Sequence, residues 1–465
     1  MGDRGFTENR VVALATLLLL AAMAAFALAL GLWPATPPAT AAAPGGGTFL
    51  GVASCSGSTC HGRQEADGRI VRQDELMRWQ EPSTPGGAHS RAFSILSNAR
   101  SRAIAGRLGI GDATASATCL GCHSAPAASR GPRFQAADGV GCESCHGAAS
   151  GWISAHYAVG ANHKRNVALG MTALDDPRTR ASVCLDCHFG SADQGQFVNH
   201  RIMAAGHPRI SFELDLFSTL QQHHDEDGDY ALRKGRTNNV RFWAVGQAMA
   251  LERALNLYAN PRLGQEGVFP EFYFFDCHTC HRRIQDGDEA IRTGIRNPAR
   301  PIPEGMPAFN DESMIMLSAA IRVAAPGMAS RFDADSRAFH AGLAQDRATA
   351  VAAAAKLRAS TTALAATFSS AGFGRDQTFA IIETIASEAI SPRFTDYEGS
   401  VQAVMAVDTL LNALVNAGQV NGGAAGSIRA DINRAYAAVR DPNDYRPLEF
   451  RRALGGAVRT IRTLR

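Results

Sequence analysis

The sequence predicts a mainly α-helical chain: a loop-rich region dense in cysteine and histidine, an α-helical bundle after it, and an N-terminal membrane anchor before it. Three observations predict this. All ten cysteines and thirteen of the fourteen histidines precede residue 300. Beyond that point, Ala-rich stretches carry apolar residues at helical spacing. At the start, Val11 to Trp33 runs without a charge.

That run exceeds the roughly 7–15 residues of a signal-peptide core and meets the ~20 needed to span a bilayer. Arg4 and Arg10 precede it and no Lys or Arg follows until Arg63, so the positive-inside rule places the bulk of the chain outside the cytoplasm. Residues 1–33 are therefore expected to be an uncleaved anchor on the periplasmic side of a bacterial inner membrane. The alternative is a cleaved signal ending at Ala39-Thr40-Ala41, which would leave the protein secreted to the periplasm. Residues 34–47, rich in Pro, Ala and Gly, form a tether.

Residues 48–300 carry five cysteine pairs. "CLGCH" (Cys119, Cys122, His123), "CESCH" (Cys142, Cys145, His146), "CLDCH" (Cys184, Cys187, His188) and "CHTCH" (Cys277, Cys280, His281) share one spacing, and "CSGSTCH" (Cys55, Cys60, His61) lengthens it by two residues. Chance would give about 0.01 C-x-x-C-H in a chain of this composition. Two thiols one short loop apart match the two thioether bonds of a c-type haem, and the next residue then supplies the proximal imidazole. The longer first loop still delivers His61 directly after the second cysteine. Five covalently attached haems c are expected. A zinc site or redox dithiol would not need a histidine after every pair; for Cys55 and Cys60 alone, a local disulfide is the competing reading.

With five histidines proximal, nine remain. His278 sits inside its own attachment loop, and His340 lies among polar and small residues that suggest a surface position. His89, His156, His163, His200, His207, His223 and His224 are left for five distal positions, a surplus that favours bis-histidine ligation over Met/His pairing. Met171 and Met203 stand in no ligand-like setting.

Regular structure should be sparse here, because the porphyrins take the place of an aliphatic core. One longer helix is expected from Asn239 to Tyr258, with Ala244, Ala248, Leu251, Leu255 and Tyr258 on one stripe.

Residues 301–465 read as an antiparallel bundle. Met314, Leu317 and Ile321 share a face before Pro326; Leu357, Thr361, Leu364 and Phe368 repeat the period. Asp376 is expected to cap a helix bearing Phe379, Ile382, Ala386 and Ala389 that stops at Pro392. Another carries Val404, Val407, Leu411 and Leu414 and ends at Gly418.

"GVASCSGSTCHG", "AHSRAF", "CLGCHS", "GVGCESCHGAASGWISAH", "VNHRIMAAGHPRISFEL" and "FFDCHTCHRR", in this order over roughly residues 48 to 285, resemble the multihaem c-type cytochromes that include the electron acceptor of hydroxylamine oxidoreductase, in particular the branch with a four-residue first loop. The resemblance implies that His156 and His89 are distal ligands and makes His200 and His207 strong candidates. Where relatives carry a single histidine this chain has "QQHHDEDG", so His223 and His224 compete.

Packed haems imply electron transfer between other redox proteins of a periplasmic chain. The competing class is a haem enzyme acting on a small nitrogen or sulfur compound at one five-coordinate iron; the absence of C-x-x-C-K, the motif of a lysine-ligated active haem, weighs against it. A purely structural role for the haems is the third reading. "DEDGD" lacks the Gly and Glu of a calcium loop at the required positions, and a net charge of +3 gives no reason to expect nucleic-acid binding.

Overall fold

In the computed structural model, the described residues are 47–64, 72–209, 211–224, 226, 228–265, 271–281, 300–303, 306–390 and 397–465. The expected anchor and the stop at Pro392 lie outside them. Among the described residues no helix is long and apolar enough to cross a membrane.

The fold is mainly α. Among the described residues there is no strand; isolated bridges include Phe49–Arg130 and Phe275–Phe309. The first half is built from short helices separated by loops, among them α1 (Glu75–Gln80), α2 (Ala117–His123), α3 (Cys142–His146), α4 (Pro177–His188), α5 (His200–Ala204) and α6 (Leu214–Leu220). Then come α7 (Asn239–Ala259), α8 (Glu312–Ala324), α9 (Ala329–Leu343), α10 (Arg347–Ser370), α11 (Arg375–Ile390), α12 (Tyr397–Asn416), α13 (Gly422–Ala438) and α14 (Pro447–Arg462).

The long helices follow from local signals. Asn238 caps α7 by accepting from the Arg241 N–H, and Asp346 caps α10 through the Thr349 N–H at 2.8 Å. Gly418, at φ +69°, ends the turn after α12 in a conformation glycine adopts without a Cβ clash. The expected α7 stripe is buried along its whole length, from Ala244 to Tyr258. Only residues 344–346 join α9 to α10, so the two must fold back on each other as a hairpin.

Residues 46–465 form one compact unit. Position 300 marks where the attachment motifs stop, yet one apolar core runs through both sides of it, from Phe197, Trp243 and Phe274 to Leu357, Phe379, Leu411 and Phe450. The reason is α7, which packs on α10, α8 and α12 and also on α4 with its Cys184–Cys187 loop.

Three local expectations change. Asp376 lies inside the first turn of α11, where the Gln377 side chain instead reaches back to the Gly374 N–H at 3.0 Å. α9, α13 and α14 had no sequence assignment; their small residues (Ala, Gly) and arginines dilute the apolar stripe that buries Phe332, Ile432 and Phe450. His340, expected at the surface, is 2% exposed. Its Nδ1 donates to the Ser336 carbonyl at 2.8 Å, and Asp311 lies 3.5 Å from Nε2.

Candidate haem-binding site

The attachment motifs sit at helix ends. Cys119, Cys122 and His123 close α2, α3 spans Cys142 to His146, and Cys184, Cys187 and His188 close α4. Cys277 and Cys280 flank a single tight turn, whereas Cys55 and Cys60 lie in a loop. No disulfide links any of the ten cysteines.

Each proximal histidine faces a histidine from elsewhere in the chain. Ring centroids are 6.0 Å apart for His61 and His156, 5.9 Å for His188 and His89, 6.3 Å for His123 and His207, and 6.4 Å for His281 and His200. His146 faces two rings, His223 at 6.2 Å and His224 at 6.1 Å. Two metal–nitrogen bonds of ~2.0 Å in line, with ~1.2 Å from each nitrogen to its ring centroid, put paired imidazoles ~6.4 Å apart across one iron. The residues present fit haem c: two thiols and at least two opposed imidazoles at every site.

Protonation agrees with ligation. Burial holds His89, His146, His156, His188, His207 and His223 below the ordinary imidazole value, His188 and His223 at about 4. A neutral ring keeps the lone pair that a metal needs. His61 moves the other way because Glu75 Oε2 lies 3.0 Å from its Nδ1.

Second partners fix the ring orientations. His123 Nδ1 bonds to the Ala92 carbonyl at 2.7 Å, His207 Nδ1 to Pro208 at 2.7 Å and His223 Nδ1 to Gln221 at 2.8 Å. Each bond leaves Nε2 as the free donor atom. His163, the surplus candidate, is tied to Asp175 at 2.8 Å, and His278 bonds to the Pro442 carbonyl at 2.9 Å. Neither faces a proximal ring.

Attachment sites also meet one another. The neighbouring Cys142 pushes the Cys55 thiol up, and the neighbouring Cys187 draws the Cys122 thiol down. Burial, and then the nearby Cys145, push the Cys184 thiol up to about 12. The sites therefore line up in the order first, third, fourth, second.

Several carboxylates that sequence reasoning passed over hold this arrangement. Glu143, inside the third motif, accepts from the backbone N–H groups of Leu50, Gly51 and Ala149 at 2.7–2.8 Å and so pins the entry to the first motif onto the third. Asp186, inside the fourth, is held by Arg253 of α7 at 2.7 Å. At the fifth, Glu398 of α12 lies 3.0 Å from Cys277 Sγ and 3.2 Å from Arg209, and its N–H donates to Asp276 at 2.9 Å. The signal available for the first two was position alone, since the middle of an attachment loop must hydrogen-bond somewhere.

No curated protein and no solved structure matches the chain. Residues 54–147, which contain the first three motifs, match the family model described as cytochrome c554 and c-prime, and with the opposed imidazoles this match supports a c-type cytochrome that carries covalently bound haem c and takes part in electron transfer.

Proposed function

We propose that the chain carries five haems c and passes electrons between redox proteins on the periplasmic side of the membrane, held there by residues 1–33. The observation that carries this reading is the pairing: every C-x-x-C-H histidine, and His61, has an imidazole opposite it at iron-bridging distance. Haem c, when bound, supplies a reversible one-electron change at its iron. The cysteines at positions 55/60, 119/122, 142/145, 184/187 and 277/280 would hold it covalently. The paired histidines would ligate its iron, and α7 and α12 cover the fourth and fifth attachment loops. The motif order supports the likeness to the electron acceptor of hydroxylamine oxidoreductase, which makes a multihaem oxidoreductase a partner to test.

Denatured-haem absorbance against protein concentration is expected to give five haems per chain; four would remove "CSGSTCH" as an attachment site. Electron paramagnetic resonance of the oxidised protein should show low-spin iron only, with no carbon monoxide bound after reduction. An open iron together with turnover of hydroxylamine, nitrite or sulfite would replace the carrier reading by an enzyme.

A second expected result concerns Glu75. A carboxylate on the proximal Nδ1 raises the basicity of the ligand and favours ferric iron. Glu75→Gln is expected to raise the potential of the haem at Cys55 and Cys60 by about 60 mV, equivalent to one tenfold change in relative affinity. A spectroelectrochemical titration that resolves the five haems checks this.

A further inference from the structure

His146 differs from the other four proximal histidines in facing two rings. One nitrogen from each of His146, His223 and His224 lies within 4.8 Å of the others, and the His223 and His224 rings are 4.2 Å apart. An iron bound by His146 has one remaining axial position, and both rings are placed to fill it.

The two rings present the same nitrogen for different reasons. His223 Nδ1 is spoken for by the Gln221 carbonyl at 2.8 Å, and its side chain is half-buried. His224 Nδ1 stands 3.5 Å from Glu75 Oε1, and its side chain is 44% exposed. In both, Nε2 is left as the donor atom. Both rings face the same proximal histidine, with their planes tilted by 44°.

We propose, on the basis of the haem reading above, that His223 and His224 are interchangeable axial ligands of the iron held by His146, so that this site carries its own spare. An incoming small molecule then competes with an imidazole already in place at far higher local concentration than any free ligand. The two states are not equivalent. With His224 bound, the iron feels the Glu75 carboxylate, the same group that holds His61 at 3.0 Å; with His223 bound it feels a neutral carbonyl. Ligand exchange therefore changes the potential of the third haem and ties it to the ligand set of the first.

The test uses the full-length holoprotein with His223→Ala, His224→Ala and the double substitution. Each single variant is expected to keep all irons low-spin and to bind no carbon monoxide, while the double variant gains one high-spin iron and one carbon monoxide per chain, both reversed by added imidazole. A high-spin iron in either single variant, or a fully low-spin double variant, overturns the proposal. Should the double variant fail to accumulate, the single variants still decide. His223→Ala must leave the third haem at a lower potential than His224→Ala does, and equal potentials overturn the Glu75 link. Carbon monoxide binding by the unsubstituted protein would instead sink the six-coordinate reading on which this rests.

Discussion

Replacing Glu143 by alanine is expected to remove about 5 kcal/mol of stability, the largest loss from any single side chain in the first half of the fold. Three backbone N–H groups, of Leu50, Gly51 and Ala149, donate to this carboxylate, and hydrogen bonds to a charged group contribute ~1.5–3 kcal/mol each. Glu143 is 5% exposed, so water cannot take over the orphaned donors at no cost. Glutamine keeps one acceptor oxygen but turns an amide NH2 toward a donor, so Glu143→Gln should fall between alanine and the parent. Urea unfolding followed by Soret absorbance measures the loss, and mass spectrometry of the Cys55–Cys60 peptide should show less haem on the first site.

The second large effect is expected at Arg209. Its guanidinium lies over Tyr273, 5.0 Å from the ring centre, and pairs with Glu398, which is itself 2% exposed. Arg209→Met leaves a buried carboxylate without its countercharge, for a loss of about 4 kcal/mol. Adding Glu398→Gln should recover most of it, because the stranded charge is then gone. If the double variant is no more stable than Arg209→Met, the loss came from packing against Tyr273 rather than from charge. Haem occupancy at Cys277 and Cys280 should follow the same order.

What was legible in the sequence divides along covalent chemistry. Two thioether bonds and an adjacent imidazole are a local requirement, so all five attachment motifs stand in the sequence as contiguous strings. The histidines opposite them are joined to those strings only by the fold: His61 meets His156, and His89 meets His188 from the other direction. Residue counting left seven candidates for five places, and resemblance ranked them. The structure sets His89, His156, His200 and His207 each across from one proximal ring and ties His163 to Asp175. Strong 3.6-residue periods gave α7 almost to its ends and fell inside α8, α10, α11 and α12, whose starts they left open. His340 misled because its own helix neighbours are polar or small, while its partner Asp311 comes from the turn before α8. α14 was missed for a related reason: arginines alternate with the residues that bury Phe450, Leu454 and Ile461.

The fifth attachment loop has a consequence for how the protein is made. Cys277 is clasped by Glu398, 121 residues later, and His278 by Pro442, 164 residues later. The first three motifs close on partners that leave the ribosome early, such as Glu143 on Leu50. Contacts at long sequence separation form late. A thiol must be accessible when it adds to a vinyl group, and once α12 has docked Cys277 is packed against a carboxylate. On the proposed haem reading, the attachment machinery would meet an unclasped Cys277 only while residues 398–445 are still being delivered. A chain whose C-terminal third docks ahead of that step would present Cys277 already held by Glu398, with Cys280 still exposed.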